Sequence, residues 1–238
     1  MSTKSAFLNG ILTYFDSITH ERVKPLAPCV FYEDFLGKDT IPPDRFTYID
    51  VSVAGNTTPL IAADVANGVL RLPLDVTSEA QETGFTWNDQ RPLVLNQGLV
   101  IEMGVSLQTL PTLLSISVWG VAGNKNAVAD TVAESIWFRV DGSGAVTVES
   151  DDTVNEKAVI VTGVTFTAVQ KKTFRIDCTT ITNIKFFIDG VGVATDTTFN
   201  MSTVPTLALQ PYAHLAKASG AGLGVMDVDF IRVWQHRS

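Results

Sequence analysis

Carboxylates are the residues of this chain best placed to do chemistry. Asp227 and Asp229 stand two apart in the run Val225–Trp234. On an extended strand that spacing turns both side chains to one face. Two acids on one face could begin a calcium site, but calcium takes roughly six to eight oxygens, and no Asp-rich loop with EF-hand spacing follows. The alternation with Val228, Ile231 and Val233 is read instead as the solvent side of a strand. Asp151-Asp152 is read as a solvated turn. His20, His214 and His236 are scattered, and no Gly-x-Ser-x-Gly elbow or phosphate-binding loop occurs. Ser219–Gly224 has glycines but no Lys-Ser/Thr, so it is a flexible connection. Cys29 and Cys178 form no Cys-x-x-Cys pair. Cys178 continues the apolar face of Phe174 and Ile176, which predicts a buried free thiol. Trp87 lies in the polar stretch Phe85–Arg91 and, with Asn124 in the loop 122–130, is the candidate ligand contact. Trp119 and Trp234 read as core or core-edge residues. No cofactor is expected.

These residues must be carried by strands. The chain has 238 residues with 45% hydrophobic and 18% charged residues, too apolar and too weakly charged for disorder. Its length suits one large β domain. Thr, Val and short apolar runs favour strands over helices. The net charge is −8, and Lys171-Lys172 is the densest basic spot. Nucleic acids and anionic membranes are therefore disfavoured as partners. No apolar run approaches the ~20 residues of a membrane span, and the N-terminus does not read as a signal peptide. The expectation is a protein made in a reducing cytoplasm.

Leu99, Ile101, Met103, Val105 and Leu107 alternate along one strand. Residues 113–121 form a mostly apolar run, which predicts a central strand buried on both faces. Ile136, Phe138 and Val140 lead into Asp141-Gly142-Ser143-Gly144, and Val146 and Val148 resume beyond it, a hairpin signature. Residues 173–178, 184–188 and 191–195 are further strands, and Asn67-Gly68 is a turn dipeptide ahead of another. Residues 207–212 carry Pro211, which suits an edge or a bulge. Residues 1–28 stand apart. Phe7, Ile11, Leu12, Tyr14, Phe15 and Ile18 fit a helix or a strand, Asn9-Gly10 interrupts them, and Pro25-Leu26-Ala27-Pro28 closes the segment. We divide the chain into an N-terminal arm, 1–28, and a sandwich domain, 29–238.

Four motifs in order carry a family resemblance. Phe31-Tyr32-Glu33-Asp34-Phe35-Leu36-Gly37 opens the domain and Val228-Asp229-Phe230-Ile231-Arg232-Val233-Trp234 closes it. Between them stand Asn67-Gly68-Val69-Leu70-Arg71-Leu72 and Ile184-Lys185-Phe186-Phe187-Ile188-Asp189-Gly190. Together they resemble the concanavalin A-like jelly rolls, which include legume lectins, laminin-G-like modules and bacterial β-glucanases. The resemblance implies an all-β fold: a single jelly-roll β-sandwich of two antiparallel sheets with an N-terminal arm. It also implies that Glu33-Asp34 caps a neighbouring loop. It leaves function open. Legume lectins bind metal through a His beside clustered Asp/Asn; no such cluster is found here, and no metal site is expected.

The β-glucanases of that superfamily use two carboxylates on one strand, one as nucleophile and one as acid/base. The equivalent strand by order is Ala133–Arg139, where Glu134 is the only acid and Ile136 and Phe138 occupy the remaining motif positions. On that ground no catalytic residue and no enzymatic activity are expected. The overall organisation, arm first and then Pro-x-Ala-Pro and the jelly roll, resembles small virion proteins of tailed bacteriophages. That resemblance implies a non-enzymatic capsid decoration or cement protein on the virion surface. Its partners would be the major capsid protein and copies of itself, in a dimer or trimer. Phe7, Ile11, Leu12, Tyr14, Phe15 and Ile18 of the arm would be the contact. The alternatives are a carbohydrate-binding or receptor-binding tail module, with Trp87 and Asn124 at the ligand, and a divergent glycoside hydrolase.

Overall fold

A computed structural model describes residues 3–8, 11–16, 29–36, 44–63, 65, 68–112 and 114–236. Among them 18 strands form. In chain order they begin with β1 (Thr3–Leu8), β2 (Ile11–Asp16), β3 (Cys29–Glu33), β4 (Thr47–Val51), β5 (Leu60–Ile61) and β6 (Leu70–Leu74). There follow β7 (Gln81–Thr86), β8 (Leu93–Val94), β9 (Val100–Thr109), β10 (Ser115–Ala122), β11 (Glu134–Val140) and β12 (Ala145–Asp152). The last are β13 (Glu156–Thr165), β14 (Lys171–Asp177), β15 (Lys185–Ile188), β16 (Val191–Val193), β17 (Ala208–Lys217) and β18 (Gly224–Gln235).

Two antiparallel sheets stack into a jelly-roll sandwich. Sheet I runs β13-β12-β11-β10-β17-β7-β4, with β8 beside β17. Sheet II runs β16-β15-β14-β9-β18-β6-β5, with β3 beside β18. The alternation read in 99–107 fills the space between them: Leu99, Ile101, Met103, Val105 and Leu107 are all in the main core. Opposite them sheet I contributes Phe85, Trp119, Val121, Ile136, Phe138 and Val148. Trp119 packs edge-on against Phe174 of sheet II, ring centroids 4.9 Å apart, a geometry that adds to plain burial. Cys178 is free and fully buried, and burial pushes its thiol pKa well up.

The hairpin expected at 141–144 joins β11 and β12, and β10 is buried on both faces as its apolar run requires. Glu33 and Asp34 accept bonds from the amides of Phe35 and Leu36, at 3.0 and 3.3 Å. Two expectations, on Pro211 and Asp227, need correction. Pro211 is in a central strand, between β10 and β7. It is tolerated because β7 pairs with β17 only from Ala213 onward and β8 only at Ala208 and Leu209, so no ladder partner is lost at Pro211 on that side. The dipeptide at 67–68 falls in the connection between β5 and β6, which pair antiparallel at Ile61 and Leu70. Gly68 is held at φ 65°, and a Cβ there would lie 2.4 Å from the Phe35 carbonyl oxygen. Asp227 is buried and ion-paired rather than solvated.

Among the described residues of the expected arm there are two paired strands, not a helix or a single strand. β1 and β2 pair from Thr3↔Asp16 to Leu8↔Ile11 and form their own two-stranded sheet, joined to neither sheet of the sandwich. Phe7, Ile11, Leu12, Tyr14 and Phe15 lie on these two strands. Ile18 lies outside the described residues.

One buried charge fastens loops to sheet I. Lys217, 2% exposed at the end of β17, donates from Nζ to the carbonyls of Asp75, Thr77 and Gly222 at 2.6, 2.8 and 3.0 Å. Its three N–H groups are all matched.

Candidate functional site

The outer face of sheet I carries a second buried cluster. Strand alternation turns Ile136, Phe138 and Val140 inward, and so turns Ser135, Trp137 and Arg139 outward. Direct pairing places Trp137 beside Glu149 and Ser135 beside Asp151 on that same face. On β17 the outward residues are Gln210, Tyr212 and His214. Trp137 and Tyr212 both pair with Gly120 of β10, which puts no side chain between them. Their rings stack at 5.8 Å and 26°. The loop 123–133 crosses above, and its Ala129 and Val132 complete a small cluster with Val118, Ala122, Trp137 and Tyr212.

On one side of this loop opens a cleft of about 190 Å³ lined by Asp130, Ser135, Trp137, Arg139, Glu149, Asp151, Glu156 and Lys157, with Ala129 at its border. Trp137 Nε1 donates to Glu149 Oε2 at 2.7 Å, and Arg139 Nη1 donates to Glu149 Oε1 at 3.0 Å. Arg139 also pairs with Asp130. Glu149 is thus a buried carboxylate with a charged and a neutral donor, the condition under which burial is tolerated. Asp151, two residues on, has its pKa raised by burial, and the neighbouring acids Glu156, Asp152 and Glu134 push the same way; the Thr153 amide, donating at 2.7 Å, opposes them. One face therefore presents two carboxylates in contrasting settings. One is held by a guanidinium, and the other is inclined to keep its proton. A pair of that kind can hold sugar hydroxyls or share acid and base roles.

On the other side of the loop is a more apolar cleft of about 290 Å³, lined by Glu82, Ile116, Val128, Ala129, His214 and Ala216. Glu82 Oε2 lies 3.2 Å from His214 Nε2 and 2.6 Å from Lys125 Nζ. The His214 hydrogen bond, and then Lys125, bring the Glu82 pKa down to about 2 against the opposing effect of burial. Burial lowers the His214 pKa, with Glu82 opposing. A neutral ring facing an ionised carboxylate must carry its proton on Nε2 and donate it.

Trp87 and Asn124 lie on loops that the fold brings together. Gln210 accepts from the Trp87 amide at 2.7 Å and donates to Asp89 Oδ1 at 2.8 Å and to the Gly123 carbonyl at 2.7 Å. Asp89 in turn accepts from the Lys125 amide at 3.0 Å. Asn124 is exposed, whereas Trp87 is half-buried, edge-on to Phe31 at 5.0 Å, beside a shallow recess with Arg45 and Phe46. Glu149, Asp151, Arg139 and His214 were missed by sequence reasoning. The signal for two of them was present: Glu149-Ser150-Asp151 has the same two-residue spacing as Asp227 and Asp229, on a strand already recognised.

No family model and no curated protein matches the chain. Solved structures do match in fold. A structure of the endo-acting O-glycanases that members of the human gut microbiota express to initiate mucin breakdown has TM-score 0.59 at 12% identity, covering 87% of this chain and 99% of that one. The laminarinase from Rhodothermus marinus has TM-score 0.57 at 10% identity, covering 89% and 99%. The carbohydrate recognition domain of Emp47p has TM-score 0.53 at 9% identity, covering 90% and 100%. At these identities the likeness establishes the jelly-roll fold alone.

Two expectations are corrected. The bacteriophage capsid-decoration reading is withdrawn: the similar folds are glycanases and a carbohydrate recognition domain, and no comparison ties the chain to a virion. The exclusion of enzymatic activity falls too. It rested on Ile136 and Phe138, but both face the main core. The positions of β11 that face the cleft are Ser135, Trp137 and Arg139, and Glu149 and Asp151 come from the neighbouring strand β12.

Proposed function

We propose that the chain is a glycan-binding jelly roll that takes a saccharide on the outer face of sheet I, in the cleft beside Glu149 and Asp151. The observation that carries this reading is the lining of that cleft, where carboxylates, Arg139 and Ser135 converge. Sugar hydroxyls donate to carboxylates and accept from guanidinium, so this lining suits a polyol. Calorimetric titration with laminarihexaose and with a mucin-derived O-glycan tests it. Glu149→Gln, with its melting point checked, should weaken binding about ten- to a hundredfold, the scale of a hydrogen bond to a charged group. Failure of both sugars to bind the wild type overturns the reading.

A second reading, glycoside hydrolysis in the same cleft, is favoured by the raised pKa of Asp151. Asp151 would donate its proton to the glycosidic oxygen as the C1–O bond breaks. Glu149 would take a proton from the water that attacks C1, its oxygens each keeping a second lone pair beyond the Trp137 and Arg139 bonds. With the water attacking C1 directly and Glu149 as its base, the expected first product is of inverted anomeric configuration, read by proton NMR. Absence of new reducing ends from laminarin and mucin sinks this second reading.

A further inference from the structure

The two clefts on sheet I are separated by one element. Ala129 lines both, and beneath it lie Trp137 and Tyr212, at 1% and 0% exposure. These are two of the largest buried side chains in the protein, yet they sit on the outside of the sandwich. Most of what covers them is small: Ala129, Val132 and Ala122. Besides these apolar contacts, and the bonds of Gly123 to Gln210 and of the Lys125 amide to Asp89, the loop is held by polar side chains. Lys125 pairs with Glu82, Asp130 pairs with Arg139, and the Asn126 carbonyl accepts a long bond of 3.4 Å from Tyr212 Oη. Asp130 is 57% exposed, so its ion pair is open to water and salt.

We propose that Trp137 and Tyr212 form a saccharide-stacking subsite, and that residues 124–132 are a strap that lifts to admit the sugar chain. The inference rests on the glycan-binding reading above and adds a specific place and a gate to it. With Gly120 between them, the two rings make a continuous aromatic floor across β11, β10 and β17. Flat apolar rings flanked by hydrogen-bonding groups suit a pyranose, which has an apolar face and a polar rim. Those groups are in place on both sides: Glu149 and Asp151 toward β12, Glu82 and His214 toward β7. Lifting the strap joins the two clefts into one groove that crosses the strands. Gly123 stays fixed where the loop leaves β10, its amide donating to the Glu134 carbonyl at 2.8 Å and its carbonyl accepting from Gln210 at 2.7 Å, so the lift begins beyond it.

A closed strap reduces apparent affinity by the fraction of time it is open. The double variant Lys125→Met/Asp130→Asn releases both ion pairs, while Glu82 keeps His214 and Glu149 keeps Arg139. Amide exchange of residues 124–131 should speed up by about tenfold, and the affinity for laminarihexaose should rise by the same factor. Acrylamide should quench Trp137 more strongly in the variant, with Trp137→Phe as the reference for the other tryptophans. Bound laminarihexaose should leave the strap amides exchanging faster than in the free wild type. Unchanged exchange and an unchanged, shielded Trp137 in the double variant overturn the inference. So does laminarihexaose bound with the strap still protected, a result that leaves the glycan-binding reading standing. An open strap with no binding of laminarihexaose or of the mucin-derived O-glycan to either form overturns the glycan reading and the subsite with it.

Discussion

Arg71 and Asp227 face each other across β6 and β18, and the guanidinium closes on the carboxylate through two bonds, Nε to Oδ1 and Nη2 to Oδ2, each 2.8 Å. The fork explains how an acid stays on a buried position of the closing strand: Asp227 is 3% exposed, and both its oxygens are matched. The hydrogen bond to Asp227 is also the first cause of a raised Arg71 pKa.

Asp227→Ala should therefore destabilise the protein by about 2–3 kcal/mol. This is below the full cost of breaking a buried pair because Arg71, about a third exposed, can turn to water. Arg71→Lys loses the fork and should lie between the wild type and Asp227→Ala. Urea unfolding measures both, and an Asp227→Ala midpoint equal to wild type contradicts the account.

Asp151→Asn should raise the melting temperature at pH 7. A carboxyl whose folded pKa is raised holds its proton more tightly folded than unfolded. Its ionisation therefore costs stability as pH rises through the folded value. Asparagine has no charge to desolvate and can still accept from the Thr153 amide. The gain should vanish once pH falls below the ordinary carboxylate value of 3.8. A scan of melting temperature against pH tests this, and a gain equal at pH 3 and pH 7 counts against it.

Glu82→Gln should do the reverse. The Glu82 pKa falls from an ordinary 4.5 to about 2, so its ionised form stabilises the fold above the ordinary value. That contribution is lost as pH falls toward the folded value. The variant should be less stable than wild type at pH 7, and the two should converge between about pH 4.5 and pH 2. Parallel denaturation curves across that window would refute the His214–Glu82–Lys125 assignment.

A chain beginning at Ala27 should fold as the whole protein does. β1 and β2 pair only with each other, and the sandwich ladders begin at Cys29. The melting temperature and near-ultraviolet spectrum of the shortened chain should match those of the full one. A cooperative loss of structure on shortening would mean that the hairpin is part of the core.

The fold was legible because burial leaves a period in the sequence. Leu99 to Leu107 alternate, and they are core; the hairpin at 141–144 is announced by its turn residues. The arm is less legible: Asn9-Gly10 interrupts the apolar periodicity, although such a pair often joins hairpin strands. The site was misjudged by one residue of phase. Ile136 and Phe138 were weighed as replacements for catalytic acids when alternation turns them to the core. Trp137 and Arg139 between them face the cleft. His214 carried no local signal, since its partners Glu82 and Lys125 come from distant strands and loops. The missing N–H of Pro211 suits an edge, but only the ladder shows that no partner waits on the β7 side of a central strand.

Lys217 has a last consequence. Carbonyl oxygens converging from separate loops are the usual ligands of a bound metal. Here the ion is an ammonium tethered to β17 by its own side chain, and it cannot dissociate. Chelators have nothing to extract from this junction, and no supply of divalent ion governs whether the loops at 75–77 and 222 stay closed. The fastening is inherited with the chain, not recruited from solution.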